Sequence, residues 1–467
     1  MSSEHSWDAA ELRTRFSLAL SDMYKTEVPL YGKLVEIVQQ VDNTVLRKEG
    51  RDLNDLPSRH HLERHGAIRL GTEHELQMIK RLFAIFGMYA VGYYDLRIVG
   101  FPLHATAFRP ITEEALMRNP FRVFTSVLRK DQITASIRGT VEAIPEKRNL
   151  FSPRLMEIIE HAENGMMCDK NADDLIPEAL KVFRWHSRST VPLEDYLKLK
   201  QEHLMIADII CFPSAHINHL TPRSLDINLV QDEMIKAGLP AKERIEGPPS
   251  RQCPILLRQT SFKALEELVT FYNADGDFVN GTHTARFGEV EQRGAAVTRK
   301  GRKLYDQLLA HAVQNTAPTD PDYPQKFDHH LVDAFSNYPD IWERLRTQGL
   351  VYMRYRATET GKAYMAKRPA DISLCPNIED LLSRGFVNYE PITYEDLLPL
   401  SAAGIFRSNL GEDSHEKLSI QQAENGLLEL EKALGCKPLD EFDLYDQLQE
   451  QSIRECTEDL RLEKILL

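Results

Sequence analysis

From Asp8 to about Val45 the apolar positions recur every third or fourth residue, with Leu12, Phe16, Leu20 and Met23 followed by Leu30, Leu34, Ile37 and Val38. That spacing predicts an amphipathic helical hairpin. At Gly66 to Leu70 the pattern shortens to a strand. Gly71-Thr72 then opens a predicted helix carrying Leu76, Ile79, Leu82, Phe83 and Phe86, with Thr72 as N-cap and Glu75 three residues on. Three β-rich stretches follow, Tyr89 to Leu96, Leu103 to Phe108 and Phe121 to Leu128. The order is β-α-β-β-β.

The same order returns further along. A strand at or around His219 leads to a predicted helix over Asp226 to Ala237, and then to strands at Arg244 to Gly247, Pro254 to Phe262 and Thr284 to Gln292. Two such units predict an α+β chain whose core is a paired β-α-β-β-β half-barrel, with curved sheets from both units enclosing one cavity. Helical N-terminal, inserted and C-terminal regions flank it. The expected layout is a helical region over 1–60, a first unit over 61–130, a mostly helical insertion over 131–213, a second unit over 214–295 and a C-terminal region over 296–467 that completes the pocket. The insertion is expected to cover one side, and the polar, Pro-containing stretch from Thr316 to Lys326 to form a loop or subdomain edge.

Charge and composition narrow the class. At 467 residues the chain has ample capacity for a buried site, and 42% apolar with 27% charged residues is ordinary for a globular protein. No apolar run reaches bilayer length, and the start lacks a basic region followed by an apolar stretch, so a cytoplasmic protein is expected. A net charge of −13 disfavours general nucleic-acid binding, which needs a basic surface to displace counterions. The six scattered cysteines show no paired spacing and read as reduced thiols.

Candidate chemistry gathers where the two units repeat. Arg64-His65-Gly66-Ala67-Ile68-Arg69, His216-Ile217-Asn218-His219 and Glu289-Val290-Glu291-Gln292-Arg293 supply two histidines and a carboxylate, the ligand set of a facial non-haem Fe(II) site with open positions for a chelating substrate and oxygen. His65 and Arg69 share a strand face roughly 13 Å apart. A metal at one end could chelate the 2-oxo acid end of a short dicarboxylate while the Arg69 guanidinium clamps the distal carboxylate. His216 and His219 have opposite parity, so a regular strand turns only one inward. His219 is preferred, and a bulge would exchange it for His216. Glu289 and Glu291 share a face, and parity cannot separate them. His283 could substitute as a ligand or act as a hydrogen-bond partner, whereas Asp328-His329-His330 is expected to be exposed. Taken alone, His65 is more often an ordinary structural histidine than a ligand.

These segments resemble the iron-dependent 2-oxoadipate dioxygenase/decarboxylases, a family similar in fold to the vicinal oxygen chelate superfamily. The matching text is RHGAIR, FRPITEEALMRNPFRVFTS, CFPSAHINHLTPRSLDI, IEGPP with PILLRQTSFKALEE, GTHTARFGEVEQRG and ITYEDLLPLSAAGIFRSNL, spread from about residue 60 to 410. The resemblance implies Fe(II) held by His65, His219 and Glu289, Arg69 on the distal carboxylate, and Leu400 and Ser401 lining the substrate end. The family pattern has valine at the position of Leu400, a departure of one methylene. Glu289 to Arg293 also resembles the EIIQR-type strand of 4-hydroxyphenylpyruvate dioxygenases, where the first acid binds iron, which favours Glu289 over Glu291. The implied reaction is 2-oxoadipate plus O2 giving (R)-2-hydroxyglutarate and CO2, a step in lysine catabolism. Competing expectations are a metal-dependent lyase or isomerase acting on another 2-oxo acid, and a non-catalytic metabolite-binding protein.

Overall fold

The N-terminal periodicity becomes two helices, Ala9–Glu27 and Pro29–Lys48, in the computed structural model, which describes residues 7–62, 65–143, 148–316, 323–367, 373–398 and 420–466. Asp8 starts the first helix by accepting from the amides of Ala10 and Glu11, and Pro29 at the head of the second gives up an N–H that would have no helical partner. Their buried faces carry Leu12, Phe16, Leu20 and Tyr24, then Tyr31, Leu34, Ile37 and Val38. Phe16 stacks on Phe86 with centroids 4.7 Å apart and meets Phe121 and Phe183 edge-on, so the helical preface is part of the main core.

The first β-α-β-β-β segment forms as predicted, with β1 (His65–Leu70), a helix over Glu73–Ile85, β2 (Tyr89–Asp95), β3 (Leu103–Arg109) and β4 (Arg122–Leu128). Thr72 caps the helix by accepting from the Glu75 amide at 3.1 Å. The Glu75 carboxylate reaches back to the Gly71 N–H at 2.7 Å. With β5 (Leu220–Thr221) these strands make one sheet in the order β2-β3-β4-β1-β5, in which β1 runs parallel to β4 and antiparallel to β5.

The second segment keeps the order and loosens the pairing. A helix over Ile227–Lys236, capped by Asp226, leads to β6 (Leu257–Ser261) and β9 (Glu289–Arg293), which pair with each other. Arg223 bridges Glu291 in parallel, the counterpart of the parallel β1–β4 pairing. The stretch predicted as a strand from Arg244 shrinks to one bridge, Glu246 to Gln259, because Gly247 at φ 107 and the following Pro248-Pro249 cannot continue a ladder. Leu256, at φ 56, delays β6 to residue 257. Between β6 and β9 the chain inserts an unpredicted hairpin, β7 (Glu266–Tyr272) and β8 (Phe278–Thr284).

Between β4 and β5 lie helices including Pro153–Glu163, Asp169–Phe183, Leu193–Glu202 and Leu204–Ile210. The chain divides into two compact units. One takes in Met1–Glu246, Arg258–Gln292 and Asp396–Leu439, and so holds the N-terminal helices, the helical insertion and nearly all of both β-α-β-β-β segments. The other comprises Gly247–Leu257, Arg293–Glu395 and Asp440–Leu467, where the helix over Glu441–Asp459 packs on β10 (Met353–Ala357), which pairs antiparallel with β11 (Val387–Pro391). Among the described residues no helix is long and apolar enough to cross a membrane.

One side chain ties the preface to both later strands. The Tyr24 hydroxyl lies 2.8 Å from the carbonyls of Asn218 and Phe287, one residue before His219 and two residues before Glu289. Tyr24→Phe is expected to cost about 1 kcal/mol in urea denaturation followed by tryptophan fluorescence. An unchanged midpoint would show that this hydroxyl contributes nothing to holding the two segments.

Candidate metal site

Three adjacent strand segments build the site. Residues 218–224 run as a seam, with the Asn218 amide donating to Ala67 O at 2.9 Å and Thr221 opposite His65 on the β1 side. On the β9 side the Ser224 amide donates to Glu291 O at 2.8 Å and the Glu291 amide to Pro222 O at 3.1 Å. Gly66 permits the close crossing, because a Cβ there would stand 2.5 Å from Ile217 Cδ1 and 3.0 Å from His219 O. β1, the seam and β9 therefore deliver His65, His219 and Glu289 together. Their ligating atoms all lie within 4.8 Å of one another, and all three side chains are buried.

The neighbours of His65 separate the two acids that strand parity could not. Glu289 Oε1 lies 2.8 Å from His65 Nε2, and Glu291 Oε2 lies 2.9 Å from Nδ1. Both acids face inward on opposite edges of one imidazole. A carboxylate at Nδ1 accepts a hydrogen bond from the N–H there and leaves Nε2 aimed at the cluster. Glu291 is itself 3.6 Å from the buried Arg122 guanidinium. Glu289 Oε1 accepts from Gln259 Nε2 at 2.7 Å and from Thr221 Oγ1 at 3.1 Å, which fixes its rotamer. His219 stacks on Phe287 at 4.7 Å and meets the His65 ring edge-on at 5.3 Å.

Charge follows from this packing. Burial pushes His219 down to about 3, an effect Glu289 offsets only in part, so its imidazole is neutral with a lone pair to give. Burial also opposes charge on His65, but Glu291 and Glu289 together outweigh it and raise its pKa. Burial would raise the Glu289 carboxyl, and His219 and His65 turn the balance so that it lies below its ordinary value. Two imidazoles and an ionised carboxylate, with no sulfur, fit a divalent metal that prefers nitrogen and oxygen donors and would keep open positions.

The other predicted residues sort themselves by one acid that the sequence reading did not single out. Asp208, on the Leu204–Ile210 helix, receives Arg69 Nη1 on Oδ2 at 2.5 Å. On Oδ1 it receives His216 Nε2 at 3.0 Å and His283 Nε2 at 2.9 Å. His216 and His283 thus face Asp208, and the three-residue cluster contains neither. Leu204-Met205-Ile206-Ala207-Asp208-Ile209-Ile210 carried a signal in retrospect, since a lone carboxylate in an otherwise apolar, buried helix requires a partner. Gln259 and Thr221 were missed as well, although both lie inside segments that carry the family resemblance, because neither residue type in those stretches points to a role of its own. His329 is exposed beside Asp333, and His330 lies 2.9 Å from Thr316 Oγ1. Leu400 and Ser401 lie outside the described residues.

A mixed α+β fold with a buried cluster of two histidines and one glutamate defines the class: an enzyme built around a candidate mononuclear metal site. A sequence profile of the 2-oxoadipate dioxygenase/decarboxylases matches residues 16–409. The 2-oxoadipate dioxygenase/decarboxylase of Escherichia coli is 48% identical over 456 residues, covering 96% of this chain and 98% of its own. That of Pseudomonas putida is 44% identical over 460 residues, covering 97% of each. Among solved structures, the hydroxyglutarate synthase of Pseudomonas putida in complex with 2-oxoadipate superposes with a TM-score of 0.87 at 42% identity, covering 98% of this chain and 99% of that one. The chain belongs to the 2-oxoadipate dioxygenase/decarboxylase family.

Glu291→Gln removes the anion that orients His65 while keeping its size. The expected result is a metal affinity reduced by about 10- to 100-fold in chelator competition titrations. Unchanged affinity would exclude Glu291 as the support of a ligand.

Proposed function

We propose that this chain converts 2-oxoadipate and O2 to (R)-2-hydroxyglutarate and CO2, using Fe(II) held by His65, His219 and Glu289. The observation that carries the reading is the buried convergence of those three side chains in a member of this family. Bound Fe(II) would supply open positions for a chelating 2-oxo acid and for O2, and the electrons needed to activate oxygen would come from oxidative loss of the first carbon of the acid. The atoms balance: the first carbon leaves as CO2 with its own two oxygens, one atom of O2 completes the carboxylate at the former keto carbon, and the other becomes the new hydroxyl.

The protein's own contribution is placement. Glu291 keeps the Nδ1 proton of His65 in place, so that a bound metal would displace only the other proton, from Nε2. Burial keeps His219 neutral. Gln259 and Thr221 stop Glu289 from rotating away. Arg69, four residues along β1 from His65, takes the distal carboxylate of the substrate and fixes which C–H bond faces the reacting centre, which makes it a determinant of regiochemistry as well as affinity. The family resemblance would add Leu400 and Ser401 at the substrate end.

The test is oxygen uptake by metal-stripped protein reloaded anaerobically with Fe(II) and mixed with 2-oxoadipate, with products identified by chiral mass spectrometry. The expected result is one (R)-2-hydroxyglutarate per O2, and loss of both metal and turnover in His65→Ala and Glu289→Ala. Turnover that continues without O2 would replace the oxygenase with a metal-dependent lyase. Arg69→Ala is expected to keep its metal and to raise KM for 2-oxoadipate by about 100-fold, as loss of a buried charged hydrogen bond does. An unchanged KM would remove Arg69 from the substrate site.

A further inference from the structure

Arg69 can select a second carboxylate only if its guanidinium is held still, because a long flexible arm would meet ligands in many orientations. The structure shows what holds it. Asp208 Oδ2 accepts from Arg69 Nη1 at 2.5 Å, and both groups are buried. The other carboxylate oxygen of Asp208 is pinned by two imidazoles, His216 Nε2 at 3.0 Å and His283 Nε2 at 2.9 Å. His283 is anchored in turn, with its Nδ1 3.1 Å from the Tyr196 hydroxyl. Tyr196 sits on the Leu193–Glu202 helix and Asp208 on the Leu204–Ile210 helix, whereas His283 belongs to β8, the strand of the inserted hairpin. Burial works against charge on Asp208, yet Arg69 and the two histidines outweigh it and hold the carboxyl well below its ordinary range. It is therefore an ionised hub in contact with a guanidinium, with no rotational freedom of its own.

We propose that Asp208 is a positioning residue for substrate selection: by fixing the plane of the Arg69 guanidinium, it makes the site prefer 2-oxo acids with a second carboxylate at the far end over those ending in a methyl group. The inference rests on the reading of Arg69 as the distal clamp. It assigns a task to the helical insertion and the inserted hairpin, which together build the support from outside the two repeated segments. The carboxylate does not touch substrate and acts only through Arg69.

The experiment compares kcat/KM for 2-oxoadipate and for 2-oxohexanoate, which has the same chain length with a methyl group in place of the distal carboxylate, using the Fe(II)-loaded full chain. Arg69→Met, Asp208→Asn, the double variant and His283→Gln are measured beside the wild type, and Co(II) absorption reports the metal site independently of turnover. Arg69→Met is expected to lower the dicarboxylate preference by about 100-fold, and Asp208→Asn by about tenfold, each with an unchanged Co(II) spectrum. The double variant should match Arg69→Met alone, since Asp208 has nothing left to position. His283→Gln, which removes one of the two holds on Oδ1, should lower the preference by about threefold.

An unchanged preference in Arg69→Met would remove the clamp itself. A changed preference in Arg69→Met together with equal losses for both substrates in Asp208→Asn would reduce Asp208 to a structural acid and overturn the inference. Should Asp208→Asn fail to fold, with a buried guanidinium left uncompensated, the double variant and His283→Gln decide. A double variant with a lower preference than Arg69→Met, or a His283→Gln protein with wild-type preference, overturns it equally.

Discussion

The arrangement on which the site depends is an imidazole held between two buried carboxylates. Glu289 and Glu291 stand on one face of β9, where like charges about 7 Å apart at an effective dielectric of about 20 repel by roughly 2 kcal/mol. Burial adds to that cost. The two acids coexist because His65 offers a nitrogen to each, at 2.8 and 2.9 Å, and because Arg122 lies beside the second. Their shared face has a chemical consequence. One acid is committed to orienting the histidine, and the other is left to face His219 across the cluster. The backbone serves this arrangement. Gly66 lets the seam lie close against β1, and the seam's other edge lies on β9.

The far end of β1 inverts the pattern. There one carboxylate, Asp208, gathers a guanidinium and two imidazoles, where the near end has one imidazole between two carboxylates. Each end is closed by opposite charge within hydrogen-bond distance, which is what a buried ionic group requires. β1 thus serves as a ruler, presenting His65 and Arg69 on the same face with Ala67 between them. The small side chain of Ala67 leaves the space between the two charged ends unfilled by its own strand.

What was legible in the chain follows from how each feature is encoded. The first unit was readable almost to the residue, Tyr89 to Leu96 predicted against Tyr89–Asp95 observed, because its strands are continuous apolar runs bounded by turns. The second was blurred. Its hairpin over Glu266 to Thr284 is largely exposed, with Leu268 and Phe278 on the surface, so neither strand shows the inward-facing alternation that marks a half-buried strand. Asp275-Gly276 was the turn signal available there. Among the candidate residues, His65, His219 and a β9 carboxylate could be nominated from their places in the repeated pattern and Arg69 from the strand face it shares with His65, while the choice of Glu289 came from the family resemblance. Asp208, Gln259, Thr221 and Tyr24 act through side-chain hydrogen bonds to partners 8 to 263 residues away, and periodicity carries no record of such pairings. Parity was enough to place Glu289 and Glu291 on one face, and only the third dimension shows which nitrogen of His65 each one meets.

The division of labour between repeat and insertion bears on how such a site can diversify. The three candidate metal ligands come from the first strand of one unit and from the entry and last strand of the other, so any change in their spacing disturbs two sheets at once. The support of Arg69 comes from a helix of the insertion and from a hairpin strand, elements that the repeated core does not need for its own pairing. Substitutions around Asp208 can therefore redirect the guanidinium while β1, the seam and β9 keep their hydrogen bonds. On the proposed role of Arg69, chemistry at the metal end and recognition at the far end would be mechanically separable although they share one strand. A fold of this kind can keep one reaction and change the length or charge of the acid it accepts.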